Sequence, residues 1–217
     1  MKRILTLFSA LFLALAAFAQ TPEEIVAKME ETMAQQNKEN NFRVAMDLKS
    51  SLMGTVTNKI HRRGDKLRYE MTMKGNSGIF FFDGDTEWQY DSEENKVEIL
   101  HSAPGEKSTG RQLLKVYGNT DDLFDFKDVV DGYDISLEKE TASAWYLHCM
   151  KKKNNKDKDA PKTLDFVVAK GSYYLVSYST KMKGFLFKVY DIGFNVTEKQ
   201  VTFNPADYPG VTVIDKR

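Results

Sequence analysis

The sequence predicts a mainly β protein with some α-helix, built as a large, strongly curved antiparallel sheet or barrel of about ten or eleven strands. Apolar and polar residues alternate along much of the chain, which is typical of half-buried antiparallel strands. Polar turn signals separate these runs at short intervals, as they do in a meander. Because few gaps leave room for the crossover helices of a parallel sheet, an α/β fold is not expected.

The chain begins with the three parts of a secretory signal. Met1-Lys2-Arg3 is basic, residues 4–18 are apolar, and Ala17-Phe18-Ala19 has the small-x-small form that a signal peptidase recognises. The apolar run is shorter than the about 20 residues that a membrane span needs. We therefore expect export, cleavage after Ala19 and one mature domain, residues 20–217, with an uncleaved anchor as the alternative.

Composition and charge limit the classes of protein to consider. The precursor has 31 basic and 31 acidic residues, and removal of Lys2 and Arg3 leaves 29 against 31, a formal charge of −2. This balance gives no indication of nucleic-acid binding. Cys149 is the only cysteine, so no intramolecular disulfide can form and packing must hold the domain together.

An amphipathic helix is predicted at the start of the mature chain. Thr21-Pro22-Glu23-Glu24 offers an N-cap threonine, a proline at the first helical position and a glutamate placed to complete a capping box. Ile25, Met29 and Met33 follow as an apolar stripe at helical spacing. The pattern alone favours a helix packed on a core, and a lid over a cavity is the alternative.

Two segments show the alternation of half-buried strands most clearly. Their apolar positions are Phe42, Val44, Met46 and Leu48 in the first segment, and Leu67, Tyr69, Met71 and Met73 in the second. Each set lies on one face of its strand, and the charged residues between them indicate that the opposite face is wet. Asp83-Gly84 predicts a hairpin turn. Residues 108–128 lack strict alternation and predict one or two short helices, interrupted at Gly118-Asn119.

No group of residues predicts catalysis or a bound cofactor. The three histidines lie far apart and lack the spacing of metal ligands. His148-Cys149 are adjacent strand residues that point to opposite faces, so a buried structural cysteine is the commoner interpretation than a nucleophile. A glycosidase in which Trp88 and Tyr90 stack on a sugar is a rival hypothesis, but no pair of carboxylates is nominated for it. We expect no enzyme activity, no metal and no cofactor.

The chain is rich in methionine, with nine in all. Methionine is unbranched and adaptable, so it suits surfaces that must accept variable apolar ligands. For any single methionine, ordinary core filling is the better explanation. Several methionines on the same faces of successive strands favour a soft apolar cavity.

Four segments occur in the order of one known family. The amphipathic helix comes first, and the basic strand end IHRRGDKLRY of residues 60–69 follows it. The hairpin FDGDTEWQY of residues 82–90 matches a D-G-x-x-x-W-x-Y element, and the ending has VTFNP at 201–205 and PGVTV at 209–213, like a closing strand and its tail. In this order the segments resemble the LolA-like family, the bacterial periplasmic carriers of outer-membrane lipoproteins.

The resemblance implies an unclosed antiparallel β-barrel whose concave cavity is hydrophobic and is covered by helices. It implies a periplasmic carrier that binds the acyl chains of lipoproteins and escorts them from the inner to the outer membrane. Its expected partners are acylated lipoproteins and the inner-membrane lipoprotein-release ABC transporter, with an outer-membrane acceptor left open. We expect a monomer that binds no nucleic acid. A binder of free lipid or another small hydrophobic ligand, or an envelope-stress sensor, remains the alternative because a fold does not fix a function.

The resemblance also assigns roles to particular residues. Arg63 matches the arginine that holds the covering helices shut when the carrier is empty, Arg62 is one residue off, and Gly64 replaces the usual proline. The apolar stripe of the N-terminal helix belongs to the lid, and Leu113–Tyr117 matches the central plug. The expected acyl-chain cavity comprises Phe42, Val44, Met46, Leu48, Leu67, Tyr69, Met71, Met73, Trp88, Tyr90, Leu113, Leu114 and Tyr117.

Overall fold

The computed structural model describes residues 20–36, 40–102, 108–117, 124, 126 and 128–217. The signal segment 1–19 and the predicted break at Gly118-Asn119 lie outside the described residues. Helices in the described residues include α1 (Pro22–Gln36), α2 (Thr109–Tyr117), α3 (Val129–Gly132) and α4 (Glu198–Val201), and a 3-10 turn follows at Pro205–Asp207.

Strands make up about half of the described chain. They are β1 (Asn41–Ser50), β2 (Gly54–Arg63), β3 (Lys66–Met73), β4 (Asn76–Phe82), β5 (Thr86–Asp91), β6 (Lys96–His101), β7 (Tyr133–Glu140), β8 (Ala144–Lys151), β9 (Thr163–Ala169), β10 (Leu175–Met182), β11 (Phe185–Gly193) and β12 (Thr212–Asp215).

Within the described residues the twelve strands form one sheet in the order β12-β6-β5-β4-β3-β2-β1-β11-β10-β9-β8-β7. The sheet ends at β12 and β7 and is not closed, which confirms the predicted mainly β, unclosed architecture. Every pairing is antiparallel except that of β12 with β6, which is parallel. The strand count and this parallel pair differ from the prediction because the C-terminal segment returns along the sheet and adds an edge strand.

The N-terminal helix begins with the predicted capping box. The Thr21 backbone N–H donates to Glu24 Oε2 at 3.1 Å, and the Glu24 N–H donates to Thr21 Oγ1 at 3.2 Å. Ile25, Met29 and Met33 are at most 1% exposed. They belong to one core cluster with side chains from both halves of the sheet, so the sheet curves around α1.

The C-terminal segment departs from the expected closing strand. Residues 198–201 form α4, and the Thr197 N–H donates to Gln200 Oε1 at 2.8 Å in a capping box. This local cap satisfies backbone donors that a strand would have to pair with a neighbour. The chain then crosses the outer face of β4 and β5 before it joins the sheet as β12.

The hairpin turns divide between the two ends of the sheet. The turns at residues 51–53, 74–75, 92–95 and 183–184, together with the loop 152–162, lie at one end, which we call the tip end. The turns at 64–65, 83–85, 141–143 and 170–174 lie at the opposite end.

Candidate functional site

Strand register places the two predicted apolar sets on the same face of the sheet. Val44 of β1 lies opposite Ile60 of β2, which lies opposite Tyr69 of β3, which lies opposite Phe80 of β4. Side chains directly opposite in an antiparallel pair share a face. The shared face is the one that packs against α1 and the core cluster, and we call it the concave face.

Burial along the concave face changes from one end of the strands to the other. Phe42 and Leu67 are fully buried and Val44 is 2% exposed, so these predicted cavity residues belong to the packed core. Toward the tip end, Met71 is 43% exposed and Met73 is 42% exposed. The same face is therefore a sealed core at one end and an open apolar surface at the other.

The first cavity on this face, the β3–β5 cavity, has a volume of about 680 Å³. Its apolar lining includes Tyr69, Met71, Met73 and Phe80, together with Leu113 of α2. Gln89, Lys96 and Glu98 contribute a polar wall. A ligand with an apolar chain and a polar group matches such a lining better than a pure hydrocarbon does.

The second cavity, the β9–β11 cavity, has a volume of about 770 Å³. Met46, Phe126, Tyr178, Met182 and Phe187 line it, among other residues. Both volumes fall within the range of roughly 300–1,000 Å³ that is usual for small-molecule sites. Together the cavities give the concave face room for apolar chains on both sides of the central strands.

Helix α2 covers the β3–β5 cavity. The Tyr117 ring stacks on the Tyr69 ring at 5.7 Å between centroids, and Leu113 and Leu114 pack partly buried against the core. The Tyr69 hydroxyl donates to Asn58 Oδ1 at 2.6 Å. Burial, with a smaller contribution from Tyr117, raises the pKa of Tyr69 to about 12. Tyr69 is therefore a neutral wall residue that joins the sheet to the helix.

A buried carboxylate fastens the N-terminus of α2. Glu87 is 3% exposed, and its Oε1 accepts the Gly110 backbone N–H at 3.0 Å. A carboxylate is favoured at this position because the first turn of a helix has unpaired N–H groups and a partial positive charge. A Cβ on Gly110 would lie 2.5 Å from Phe82 Cγ, so this close approach requires glycine.

Arg111 provides a second attachment of α2 to the sheet. Its Nη2 donates to the Gly84 carbonyl at 2.8 Å and to the Ser102 carbonyl at 3.0 Å. Its guanidinium also lies 5.6 Å from the Phe82 ring centroid. The described contacts therefore hold the first turn of α2, while Tyr117 at the other end of the helix makes a ring contact.

The register of β5 places Trp88 and Tyr90, both expected to line the cavity, on the outer face of the strand. The register puts Glu87 opposite Phe82 and Gln89 opposite Phe80, so the alternate residues of β5 point away from the concave face. Trp88 stacks on Phe203 at 6.2 Å, and the Tyr90 ring lies 4.5 Å from that of Tyr208. Tyr90 is nevertheless among the residues that line the β3–β5 cavity, at its edge nearest the tip end.

Arg62, and not Arg63, is the arginine that points inward. Arg62 is 8% exposed, and its register partners are Phe42 and Leu67 on the concave face. Its Nε donates to the Gly64 carbonyl at 2.9 Å, and burial lowers its pKa.

The contacts described for Arg63 are with the C-terminal segment. Its Nη1 donates to the Val196 carbonyl at 2.8 Å, and its Nε lies 3.5 Å from Glu198 Oε2. Successive residues of a strand point to opposite faces, so only one of the two arginines can face the cavity. Of the two neighbouring candidates for the latch, Arg62 is the one on the concave face.

Several residues of the site carry no clear signal in the sequence. Phe80 stands in the continuous apolar run of residues 79–82, where alternation gives no face. Asn58 and Gln89 are polar residues whose positions are set by register alone. Glu87 belongs to the quoted hairpin motif, and its alternation with Trp88 was the one available indication that it faces inward.

The described residues contain no set of three His, Cys, Asp or Glu side chains placed to hold a metal ion. Cys149 is fully buried, and burial raises the pKa of its thiol to about 12. His148 points to the face of β8 opposite Cys149, where its Nδ1 lies 2.6 Å from Asp165 Oδ1. In the part of the chain that the structure describes, no helix has the length and apolar character needed to span a bilayer.

No family model matches this chain, and no curated protein sequence matches it. Similar solved structures include an uncharacterized conserved protein from Thermus thermophilus, 15% identical, with a TM-score of 0.34 over 91% of this chain and 100% of the other. A DUF1329 family protein from Desulfovibrio piger is 13% identical, with a TM-score of 0.31 over 88% of this chain and 98% of the other. A LolA superfamily protein from Nitrosomonas europaea is 11% identical, with a TM-score of 0.29 over 87% of this chain and 100% of the other.

Proposed function

We propose that this protein binds acyl chains on its concave face and carries them through water. The observation that carries the proposal is the exposure of Met71 and Met73, 43% and 42%, on the face that elsewhere forms the core. Large apolar side chains left open in a cavity mark a binding surface for an apolar ligand. Their flexibility suits a lining that must adapt to different chains.

The energetics suit a carrier. Each methylene moved out of water contributes about 0.8 kcal/mol, so an acylated molecule does not leave a membrane at a useful rate unaided. A carrier must offset most of that cost and still release its load. An adaptable cavity beneath a helix that is fastened mainly at one end meets both demands, because the helix can swing while the sheet keeps its shape.

The cargo that we propose is the acylated N-terminus of outer-membrane lipoproteins, carried in the periplasm from the inner to the outer membrane. Supporting features are the signal-like N-terminus and the family resemblance of the sequence. The partners in this proposal are an inner-membrane lipoprotein-release ABC transporter and acylated lipoproteins, and an outer-membrane acceptor remains open. We propose that the protein binds without catalysis. The outer-face rings that a sugar-binding enzyme would use are half-buried and pack against Phe203 and Tyr208.

We further propose that Arg62 is the latch of the carrier. It is buried on the concave face, and a guanidinium keeps its charge and offers five donors in a fixed fork. Hydrogen bonds to a charged group contribute about 1.5–3 kcal/mol, which is small beside the gain from burying an acyl chain. Such a group can bias the empty form shut without preventing loading.

Site-specific crosslinking in the native envelope tests the cavity. Photo-crosslinkers at Tyr69 and Met71, which face the cavity, should capture acylated molecules. Arg68 and Glu70 are the matched controls, because they lie on the same strand and face the other way. Capture at the control positions alone would show that the opposite face of β3 binds the acyl chain. No capture at either pair would refute the carrier function.

Mass spectrometry of the crosslinked species separates the two candidate cargoes. Lipoprotein peptides joined to Tyr69 or Met71 support the lipoprotein carrier. Extracted lipid without peptide supports a binder of free lipid on the same cavity.

A further inference from the structure

We propose that three neighbouring hairpin tips form a surface that docks onto an anionic lipid bilayer. The tips are residues 49–54, 73–76 and 181–186, at the β1–β2, β3–β4 and β10–β11 turns, and we call them together the tip surface. The strand order β4-β3-β2-β1-β11-β10 places the three tips side by side. This surface goes beyond the proposed acyl-chain cavity, although Met73 and Lys74 also line the β3–β5 cavity and Met182 the β9–β11 cavity.

The tip surface exposes apolar side chains where turns are normally polar. Leu52 is 96% exposed at the β1–β2 turn, and Met53, Met73 and Met182 are 43%, 42% and 37% exposed. Gly, Asn, Asp, Ser and Pro are the residues that the geometry of a turn favours. Leu52 and Met53 occupy turn positions, and Met73 and Met182 are the last residues of β3 and β10. Side chains this exposed contribute little to the core, but they can insert into the interfacial region of a membrane.

All the charged side chains of the tip surface are cationic. Lys49, Lys74, Lys181 and Lys183 are exposed, and the three tips contain no carboxylate. Among the described residues, none of the four has an ion-pair partner. Lysine beside exposed apolar residues matches a bilayer surface, because the ammonium meets anionic headgroups while the apolar chain enters the acyl region.

A groove beside the β1–β2 and β10–β11 tips also combines lysines with apolar side chains. It has a volume of about 810 Å³, and its lining includes five lysines but a single carboxylate, Asp159. Met182, Phe185 and Leu186 supply apolar lining. The next tip along the sheet, residues 92–95, carries Glu93 and Glu94 instead, so the cationic surface has a defined border.

Backbone geometry gives an independent indication that the lysines are there for function. Met-Lys-Gly occurs at two of the tips, as Met73-Lys74-Gly75 and Met182-Lys183-Gly184, and Lys74 and Lys183 have φ of 53° and 49°. Two-residue hairpin turns of this kind strongly prefer Asn-Gly, Asp-Gly or Gly-Gly, because positive φ is unfavourable for a long side chain. In the four-residue β5–β6 turn, by comparison, the residue with positive φ is an asparagine, Asn95, with φ of 45°. Two lysines thus occupy positions where asparagine would stabilise the fold better.

The difference between lysine and asparagine provides the test. The variant Lys74→Asn/Lys183→Asn should bind vesicles of phosphatidylcholine with phosphatidylglycerol about 25-fold more weakly in a flotation assay at low salt, from roughly fivefold per lysine. Its melting temperature should stay the same or rise, since asparagine tolerates positive φ. The matched control is Lys139→Gln/Lys199→Gln, which removes two exposed lysines toward the opposite end of the sheet and should bind like the unchanged protein.

Insertion is tested at the most exposed leucine. An environment-sensitive fluorophore on Leu52→Cys should shift to shorter wavelength with anionic vesicles and stay unshifted with phosphatidylcholine alone. The native Cys149 is fully buried and does not compete for the label.

Three results would overturn the tip surface as a membrane-docking site. They are no binding to anionic vesicles, undiminished binding by the asparagine variant, and capture of an acidic protein by the tip lysines without vesicle binding. Crosslinking at Met71 reports on the cavity separately. Acyl capture without vesicle binding would refute membrane docking and support the acyl-chain carrier. Vesicle binding without acyl capture would support membrane docking and refute the carrier.

Discussion

Removal of the Glu87 carboxylate should open the helix that covers the β3–β5 cavity. Glu87 is 3% exposed, and Gly110 donates to it at 3.0 Å. A hydrogen bond to a charged group contributes about 1.5–3 kcal/mol, and a buried site is screened little by solvent. In Glu87→Ala this interaction is lost and a helix N–H is left unpaired. The opening equilibrium of α2 should therefore increase roughly 10- to 150-fold.

Native-state hydrogen exchange measures this opening directly. The amides of residues 112–117 should exchange faster in Glu87→Ala, while the amides of β1 act as the internal reference for the sheet. Urea unfolding should show a loss of global stability no larger than about 3 kcal/mol. Glu87→Gln is the graded control, because its amide oxygen can still accept the Gly110 N–H without the charge. The exchange rates of its α2 amides should lie between those of the unchanged protein and those of Glu87→Ala.

A uniform effect would refute the anchoring role of Glu87. If the amides of α2 and β1 lose protection equally in Glu87→Ala, then Glu87 supports the sheet as a whole and does not hold the cover. If protection of α2 is unchanged, then Arg111 and the stacked tyrosines suffice to hold the helix.

Three further predictions follow from the burial and charge of single residues. Arg62→Leu should fold and load cargo but fail to transfer it or to close again, while Arg63→Leu should transfer normally; the opposite result in a transfer assay would restore Arg63 as the latch. Cys149 should react with a thiol reagent only as the protein unfolds, because burial raises its pKa to about 12, and rapid labelling of folded protein would contradict this. Burial first, and Arg68 next, lower the pKa of His61, so its contribution to stability is present above the unfolded value of about 6.5 and is lost as the pH falls below it. His61→Gln should flatten the decline of unfolding free energy between about pH 7 and pH 5, and an unchanged decline would assign it to other groups.

Local pattern was sufficient to predict several elements. The capping box at Thr21 and Glu24 and the helical spacing of Ile25, Met29 and Met33 predict α1, since a cap and a stripe depend on neighbours a few residues away. Alternation likewise predicts β1 and β3 and separates the residues of each into two faces. These features lie within one or two turns of backbone, so they need no tertiary information.

Alternation does not say which of the two faces is concave, and tertiary structure decided this. In β5 the polar Glu87 and Gln89 face the cavity, while the aromatic Trp88 and Tyr90 face outward, because Phe203 and Tyr208 of the returning C-terminal segment cover them. Contact of these half-buried rings with a segment more than a hundred residues later cannot be predicted from local hydrophobicity.

The sequence by itself determined that this protein is a curved, mainly β molecule with an amphipathic helix and an unusual supply of methionine. Only the tertiary structure decided which arginine faces inward and which residues meet at the tip end. Residues 49–54 and 181–186 come together because β1 pairs with β11, a contact between strands more than a hundred residues apart. Periodicity is a property of the backbone over a few residues, whereas the neighbours of a surface follow from strand order, which depends on packing of the whole chain.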